Sequence, residues 1–189
     1  MAHIQSIGAG LFSDLSVCLD NTEISTARAN PTKTNLEACF AADVPSDGVL
    51  GTASGEFVSI KNVREFPSMG TPPNVVNVPV YGQRTSQQIQ GQADAPSIEI
   101  QVNYIPLEWA AGTLLGNAVT GDSSYVFRFT LLNSEPASLV ANSMSKENTS
   151  YYWIGKIEAL QVSPQLTDAN TATITITVQS DFYGAFTGT

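Results

Sequence analysis

The side chains that most often perform catalysis are scarce in this sequence. The chain of 189 residues has one histidine, His3, near its start, and two cysteines, Cys18 and Cys39, in a region without a regular pattern. A single histidine excludes a histidine-based catalytic triad or a multi-histidine metal site within one chain. Either cysteine would lack an internal histidine partner. No secretory signal is recognisable, so we expect two thiols in a reducing compartment rather than a disulfide framework.

The acidic residues also lack a catalytic arrangement. Asp43 and Asp47, followed by Gly48, could form an acidic turn, but the other oxygen ligands of a calcium loop are missing. A plain Asp-Gly turn is therefore expected. Glu99 and Glu158 lie on predicted strands, and no pattern pairs either of them with a second acid across a cleft. We expect no enzymatic activity, no metal site and no cofactor.

The charge composition limits the partners of the protein. The formal net charge is −9, and charged residues make up 13% of the chain. Nucleic-acid binding relies on clustered Lys and Arg, so tight binding to nucleic acid is not expected. The charged fraction lies well below the roughly 25% of ordinary soluble domains, which favours a surface covered by further copies of the protein. No segment has the unbroken apolar length of a membrane span.

Hydrophobic patterning divides the chain into an N-terminal segment, residues 1–50, and a β domain, residues 51–189. The first segment has one short predicted strand, in "LSVCLD", and its polar, turn-rich remainder predicts an arm or a long loop. Several runs in the β domain alternate with a period of two, which is typical of strands with one buried face. In "EFVSIKNVREF", the buried side is predicted to be Val58 and Ile60. The expected fold class is mainly β, an α+β domain with one helix.

One helix and one long loop interrupt the predicted strands. The helix is predicted over residues 106–117, where Pro106 suits the first turn and Gly116 with Asn117 suits a C-terminal stop. The loop covers residues 66–80, and its prolines exclude a central strand although its valines are apolar. A long apolar loop predicts a docking element. The two runs that follow, "TSQQIQGQ" and "SIEIQVNYI", predict a hairpin.

A row of threonines marks the last regular strand, "TATITITVQSD", in which threonine alternates with aliphatic residues. The strand "SIEIQVNYI" likewise alternates aliphatic residues with polar ones. Such an uncharged stripe can be an ordinary solvent-exposed sheet face, because threonine has a high β propensity. The polar residues of the two strands are Thr171, Thr173, Thr175, Thr177, Ser97, Glu99, Gln101 and Asn103.

The order of the predicted elements carries further information. A strand leads into the apolar loop, and a Gln/Gly-rich hairpin, "TSQQIQGQADAPSIEIQVNYIP", leads into the helix. The chain then ends with the long hairpin "YYWIGKIEALQVSPQLTDANTATITITVQS". This order, over about residues 56–181, resembles the major tail tube protein of phages with long, flexible, non-contractile tails. The resemblance implies a β-sandwich or half-barrel with one flanking helix. Such subunits form rings, usually hexameric, which join edge to edge into a ring-wide β-barrel and stack into a tube.

The resemblance also implies a role for each unusual surface. The eight polar strand residues listed above would face the lumen, through which DNA and the tape measure protein pass. Hydroxyls, amides and a few carboxylates would not hold a polyanion there. Apolar residues of the loop and of the C-terminus would contact neighbouring subunits or rings: Val75, Val76, Val78, Val80, Phe182, Tyr183 and Phe186. The protein would lie in the virion tail, be assembled in the bacterial cytoplasm, and also meet tail tip and terminator proteins.

Two other functions remain open. A carbohydrate-binding β-sandwich could use Tyr151, Tyr152 and Trp153 as a stacking platform. Neighbouring residues on a strand alternate between faces, however, so these three side chains cannot share one platform. Another β-rich virion component, such as a tail terminator or connector, differs from a tube protein only in whether assembly continues beyond one ring.

Overall fold

A computed structural model of the chain describes residues 13–44, 53–66, 75–82, 96–132, 138–141 and 148–188, together with residues 68, 70, 84, 85 and 87–90. The predictions about His3, about the turn at Asp47 and Gly48, and about the arm before residue 13 lie outside these residues. Part of the predicted 66–80 loop also lies outside them.

Strands dominate the described part of the chain, as predicted. The strands are β1 (Asp14–Cys18), β2 (Ala42–Asp43), β3 (Glu56–Ser59), β4 (Val63–Glu65), β5 (Val75–Val78), β6 (Gln87–Gln90), β7 (Ser97–Asn103), β8 (Tyr125–Leu131), β9 (Thr149–Ser163), β10 (Thr171–Val178) and β11 (Tyr183–Thr187). The helices are α1 (Asn21–Ala29), α2 (Lys33–Ala38), α3 (Pro106–Trp109) and α4 (Leu114–Thr120).

One sheet holds most of these strands in the order β2-β3-β1-β8-β9-β10-β7-β4, and β11 also pairs with β9. Every pair in this sheet is antiparallel except β2 with β3. The apolar side of the sheet and the helices share a single buried cluster. The described strands form no closed barrel within one chain.

The N-terminal region differs from the predicted arm. Strand β1 lies between β3 and β8, so the sheet crosses the boundary that was predicted at residue 50. The loop predicted after this strand is wrong, because α1 and α2 form there. Asp20 caps α1 by accepting hydrogen bonds from the backbone N–H groups of Thr22 and Glu23, and Thr32 caps α2 in the same way. Each helix buries only one or two apolar residues, which explains the weak pattern in the sequence.

The single predicted helix is two short helices. The chain leaves α3 at Ala110, and Gly112 has a φ of +96°, a conformation that favours glycine. Thr113 then caps α4 by accepting a hydrogen bond from the N–H of Gly116. Gly116 therefore lies inside a helix rather than at its end. A Cβ at Gly116 would lie 2.0 Å from the carbonyl oxygen of Ala110, so the glycine permits close packing of the two helices.

The hairpin predicted between β6 and β7 is wrong. Strand β6 pairs with β5 in a separate two-stranded sheet, with Val76 opposite Ile89. Strand β7 pairs instead with β10 and β4. The segment predicted as a loop therefore contains a strand, since its β-branched valines adopt extended structure between Pro73 and Pro79.

The buried side predicted for the first strand of the β domain was incomplete. Val58 and Ile60 are buried as predicted, but Phe57, predicted to face outward, is also fully buried. Phe40, which follows α2, covers it with a ring-centroid distance of 5.4 Å. A strand beneath a helical layer is buried on both faces and does not show strict alternation.

Arg128 of β8 is a buried charge that the sequence does not reveal. Its side chain has no exposed surface, and its guanidinium lies 4.4 Å from the ring centroid of Phe40 and 4.8 Å from that of Phe57. Nη2 donates a hydrogen bond to the hydroxyl of Ser16 at 3.2 Å and lies 4.0 Å from a carboxylate oxygen of Asp14. Burial raises the pKa of Asp14, while Ser16 and Arg128 oppose this effect. Cation–π contacts and the partly buried carboxylate thus hold the arginine in the core.

Candidate functional site

The two polar rows predicted from the sequence lie side by side on one face of the sheet. The facing pairs are Thr171 with Asn103, Thr173 with Gln101, Thr175 with Glu99, and Thr177 with Ser97. The threonines are half-buried and their β7 partners are exposed. The alternate residues of both strands, such as Ile100 and Ile174, are fully buried in the core. The core thus occupies one side of these strands and leaves the other side, the polar face, uncovered by the described chain.

Neighbouring strands extend the polar face with residues that the sequence analysis missed. On β9, Gln161 lies opposite Thr173, and Lys156 lies opposite Thr177. On β4, Glu65 lies opposite Gln101. Both strands have a register shift, which reverses the alternation part-way along the strand. Because these bulges are set by pairing with a distant strand, simple alternation in the sequence could not locate them.

The electrostatics of the polar face are neutral to acidic. Lys156 donates a hydrogen bond to Asp122 and lies 3.7 Å from a carboxylate oxygen of Glu158. This hydrogen bond lowers the pKa of Asp122 and raises that of Lys156. Within the described residues, neither Glu65 nor Glu99 forms an ion pair. The lysine of the face is therefore balanced by carboxylates, and two further carboxylates remain uncompensated.

Strands β9, β10, β7 and β4 form a section of the sheet that is open at both edges. The first half of β9 pairs with β8 as far as Gly155, and beyond this point β9 pairs only with β10 among the described strands. At the opposite edge, among the described residues, β4 pairs with β7 at Gln101 and Val102, and the N–H of Asn103 donates to the carbonyl oxygen of Asn62. Open strand edges present unpaired N–H and C=O groups, which favour pairing with another chain.

The predicted apolar contact residues lie mainly on the β5–β6 hairpin. Val75 and Val76 are 47% and 50% exposed, Val80 is 38% exposed, and Val78 is half-buried. The hairpin adds Ile89, which is 56% exposed and faces Val76. Ile89 was not among the predicted contact residues, because β6 was assigned to a different hairpin. The two strands thus expose a patch of aliphatic side chains outside the main sheet.

The C-terminal aromatic residues have a different environment from the one predicted. Phe182 packs against Trp153 with ring centroids 5.4 Å apart, and Phe186 packs against Tyr152 at 5.9 Å. Tyr183 and Phe186 lie on β11, which pairs with β9. All three aromatic residues are half-buried by their own chain, which removes part of the reason for expecting them at an interface. Their contact with a neighbouring subunit stays a prediction.

The alternative sugar platform is contradicted by burial. Tyr152 and Trp153 have no exposed surface, and Tyr151 is half-buried. A stacking platform requires aromatic faces that a ligand can reach. Trp109 is also in the core, as predicted.

The described ranges contain no group of three or more His, Cys, Asp or Glu side chains placed to hold a metal ion. Cys18 and Cys39 are both buried free thiols. Among the residues that the structure describes, no helix combines the length and the apolar character of a membrane span.

The fold is similar to that of a chain in the anti-feeding prophage baseplate. A chain in the 6-fold symmetrised cryo-EM structure of the anti-feeding prophage baseplate has a TM-score of 0.52 at 12% identity, over 95% of this chain and 97% of that chain. A chain of the SPP1 tail tube has a TM-score of 0.47 at 11% identity, over 97% of this chain and 80% of that chain. A chain in the sheath/tube terminator structure of an extracellular contractile injection system has a TM-score of 0.46 at 12% identity, over 64% of this chain and 86% of that chain. No protein-family model and no curated protein matches the sequence. The chain therefore shares its fold with a chain of the anti-feeding prophage baseplate.

Proposed function

We propose that this protein is a structural subunit of a phage tail, and that it polymerises as stacked rings into the tail tube. The observation that carries the proposal is the four-stranded section β9-β10-β7-β4, which is open at both edges and polar on its uncovered face. The fold shared with a baseplate chain of a tail-like machine supports it. The protein would be neither an enzyme nor a cofactor carrier.

Ring closure would join the open edges of neighbouring copies. The four strands alternate in direction, because each adjacent pair is antiparallel. Rotation about a ring axis would bring β9 of one copy beside β4 of the next, so this junction would be antiparallel as well. Repetition would continue one sheet around the axis and cover its edges. We propose six copies per ring, in line with the 6-fold symmetrised assembly that contains the similar chain.

The polar face would line the channel of the closed ring. The opposite side of the same strands is filled by the core of each subunit, so the polar side is the one left to face the axis. A lumen with hydroxyls, amides and a slight excess of carboxylates would repel phosphate rather than bind it. This property suits a channel through which DNA and the tape measure protein pass. The tube would meet tail tip and terminator proteins at its ends, in a virion tail assembled in the host cytoplasm.

Electron microscopy of the purified protein tests the proposal directly. We expect hollow rings or tubes in negative stain at high protein concentration, with matching large species in size-exclusion chromatography. Closed rings that never stack would favour the tail terminator. Monomers at every protein and salt concentration, also with a crowding polymer, would contradict ring formation.

Lysines on the polar face are expected to make tubes retain DNA. Thr173→Lys with Thr175→Lys would add cations to the lumen. Each phosphate contact steepens the slope of log K for DNA binding against log salt concentration by about 0.9. We expect tubes of this variant to hold a short DNA duplex at low salt in a form protected from nuclease. Tubes of the wild type should leave the duplex open to digestion.

The control for this variant is Thr173→Gln with Thr175→Gln, which changes size without adding charge. Nuclease protection separates DNA inside the channel from DNA on the outer wall. Variant tubes that bind the duplex without protecting it would place this face outside the tube.

A further inference from the structure

The turn between β9 and β10 exposes a leucine in a fixed position. Leu166 is 101% exposed, the full exposure of a large aliphatic side chain. The turn is held by two hydrogen bonds: the N–H of Gln165 donates to Oδ1 of Asn170 at 2.9 Å, and the N–H of Tyr104 donates to the carbonyl oxygen of Asn170 at 2.8 Å. A leucine presented by an ordered turn can enter a pocket with little further ordering of the chain.

A cavity lies beside the opposite open edge of the same four-stranded section. Its volume is about 620 Å³. Its lining combines aliphatic and aromatic side chains with polar ones and includes Ser13, Ile60, Val63 and Phe66. The hydroxyl of Ser13 is buried and has no hydrogen-bond partner among the described residues. The cavity thus presents a mixed lining, in which Val63 and Phe66 lie beside charged side chains.

The leucine and the cavity lie at the same end of the section. Thr171, which follows the β9–β10 turn, pairs with Ser163 on one side and with Asn103 on the other. The N–H of Asn103 in turn donates to the carbonyl oxygen of Asn62, which lines the cavity. Both features therefore lie at this end, the turn beyond β9 and the cavity beside β4.

We infer that Leu166 of one copy inserts into the cavity of the next copy when the ring closes. This inference rests on the proposed ring, in which β9 of one copy lies beside β4 of its neighbour. The lining of the cavity is balanced in charge, because Lys61 and Arg64 stand beside Asp14 and Glu65, so the position of the turn rather than its charge selects the occupant. The occupant of the cavity is thus a second copy of this chain.

Substitution of the leucine tests this contact. Leu166→Asp should leave the fold intact, because the side chain touches nothing in its own subunit. We expect it to raise the protein concentration needed for ring formation by about tenfold or more, as for apolar anchors that dominate interfaces. The matched control is Leu131→Asp at the end of β8, where the leucine is 42% exposed and pairs with Thr149, at the opposite end of β9 from the turn. The control should form rings like the wild type.

A disulfide between copies provides a second, independent readout. Leu166→Cys combined with Lys61→Cys should give ladders of linked subunits on non-reducing gels after mild copper-catalysed air oxidation. Each single variant should give at most dimers. If Leu166→Asp forms rings normally and the double variant gives no ladder, this contact is wrong while the ring stands. If the wild type forms no rings at all, the proposed function itself fails.

Discussion

Arg128→Ala lowers the free energy of unfolding by about 3–5 kcal/mol, the range for breaking one partner out of a buried ion pair. The substitution leaves the Asp14 carboxylate without its nearest cation and opens a space against the rings of Phe40 and Phe57. Urea denaturation followed by circular dichroism, on protein kept too dilute to assemble, measures the loss. Arg28→Ala, at an exposed position near the end of α1, is the matched control. It should cost about 0.5 kcal/mol or less.

The pH dependence identifies the carboxylate as the source of the loss. Burial already raises the pKa of Asp14, and removal of Arg128 takes away an interaction that lowers it. A carboxyl with a raised folded-state pKa binds protons more readily in the folded protein than in the unfolded one. Stability from this group is therefore present at low pH and lost as the pH rises through the folded-state pKa. The loss of stability caused by Arg128→Ala should be smaller in mild acid than at neutral pH. In a background that carries Asp14→Asn, this difference between the two pH values should disappear. A loss of stability that does not change with pH would indicate that the space left by the arginine side chain is its only cause.

Val76→Asp with Ile89→Asp blocks tube growth without unfolding the subunit. The two side chains face each other on an exposed hairpin outside the main sheet, so added charge costs little in the monomer. In a contact between subunits or rings, the carboxylates would lose their water without gaining a partner. Negative-stain microscopy should show no tubes at concentrations where the wild type forms them, and thermal melting should be unchanged.

The same hairpin supplies the control for this substitution. Asn77 and Gln88 face each other on the opposite side of the hairpin, and both are exposed. Asn77→Asp with Gln88→Glu adds the same charge on the face that carries Val75, and tube growth should stay intact if the face of Val76 and Ile89 makes the contact. Normal tubes from the Val76 and Ile89 variant would exclude this face from the contact, and loss of tubes in both variants would indicate a general effect of charge.

The strands predicted best from the sequence are those with one face buried in the core and the other face open to solvent. Strands β7 and β10 alternate strictly, because the core fills one side and nothing in the described chain covers the other. Their mutual pairing then brings the two polar rows together. Strand β8 has no such contrast, since Phe127 and Arg128 point to opposite sides and are both fully buried. The alternation of residue types did not indicate that the arginine lies in the core.

Strand pairing between segments that are distant in the chain accounts for most of the remaining differences between the predicted and the observed structure. The choice of β5 rather than β7 as the partner of β6 depends on tertiary contacts, and loop length and turn residues alone favour the local hairpin. The bulges that bring Lys156 and Glu65 to the polar face likewise exist only in the paired sheet. The helix caps at Asp20 and Thr32 were signals in the sequence that could have indicated α1 and α2.

Strand β9 gives the proposed tube a mechanical property. It runs for 15 residues, with its first half held between β8 and β11 and its second half paired with β10. In a closed ring, tension around the wall would cross the inter-strand hydrogen bonds of the four-stranded section, and β9 would carry it on into the core of each subunit. Gly155 lies where the halves meet, and a Cβ there would come within 2.8 Å of the carbonyl oxygen of Thr177, so the backbones are in close contact. Each ring would then act as a stiff hoop, and a bending tail would flex between its rings.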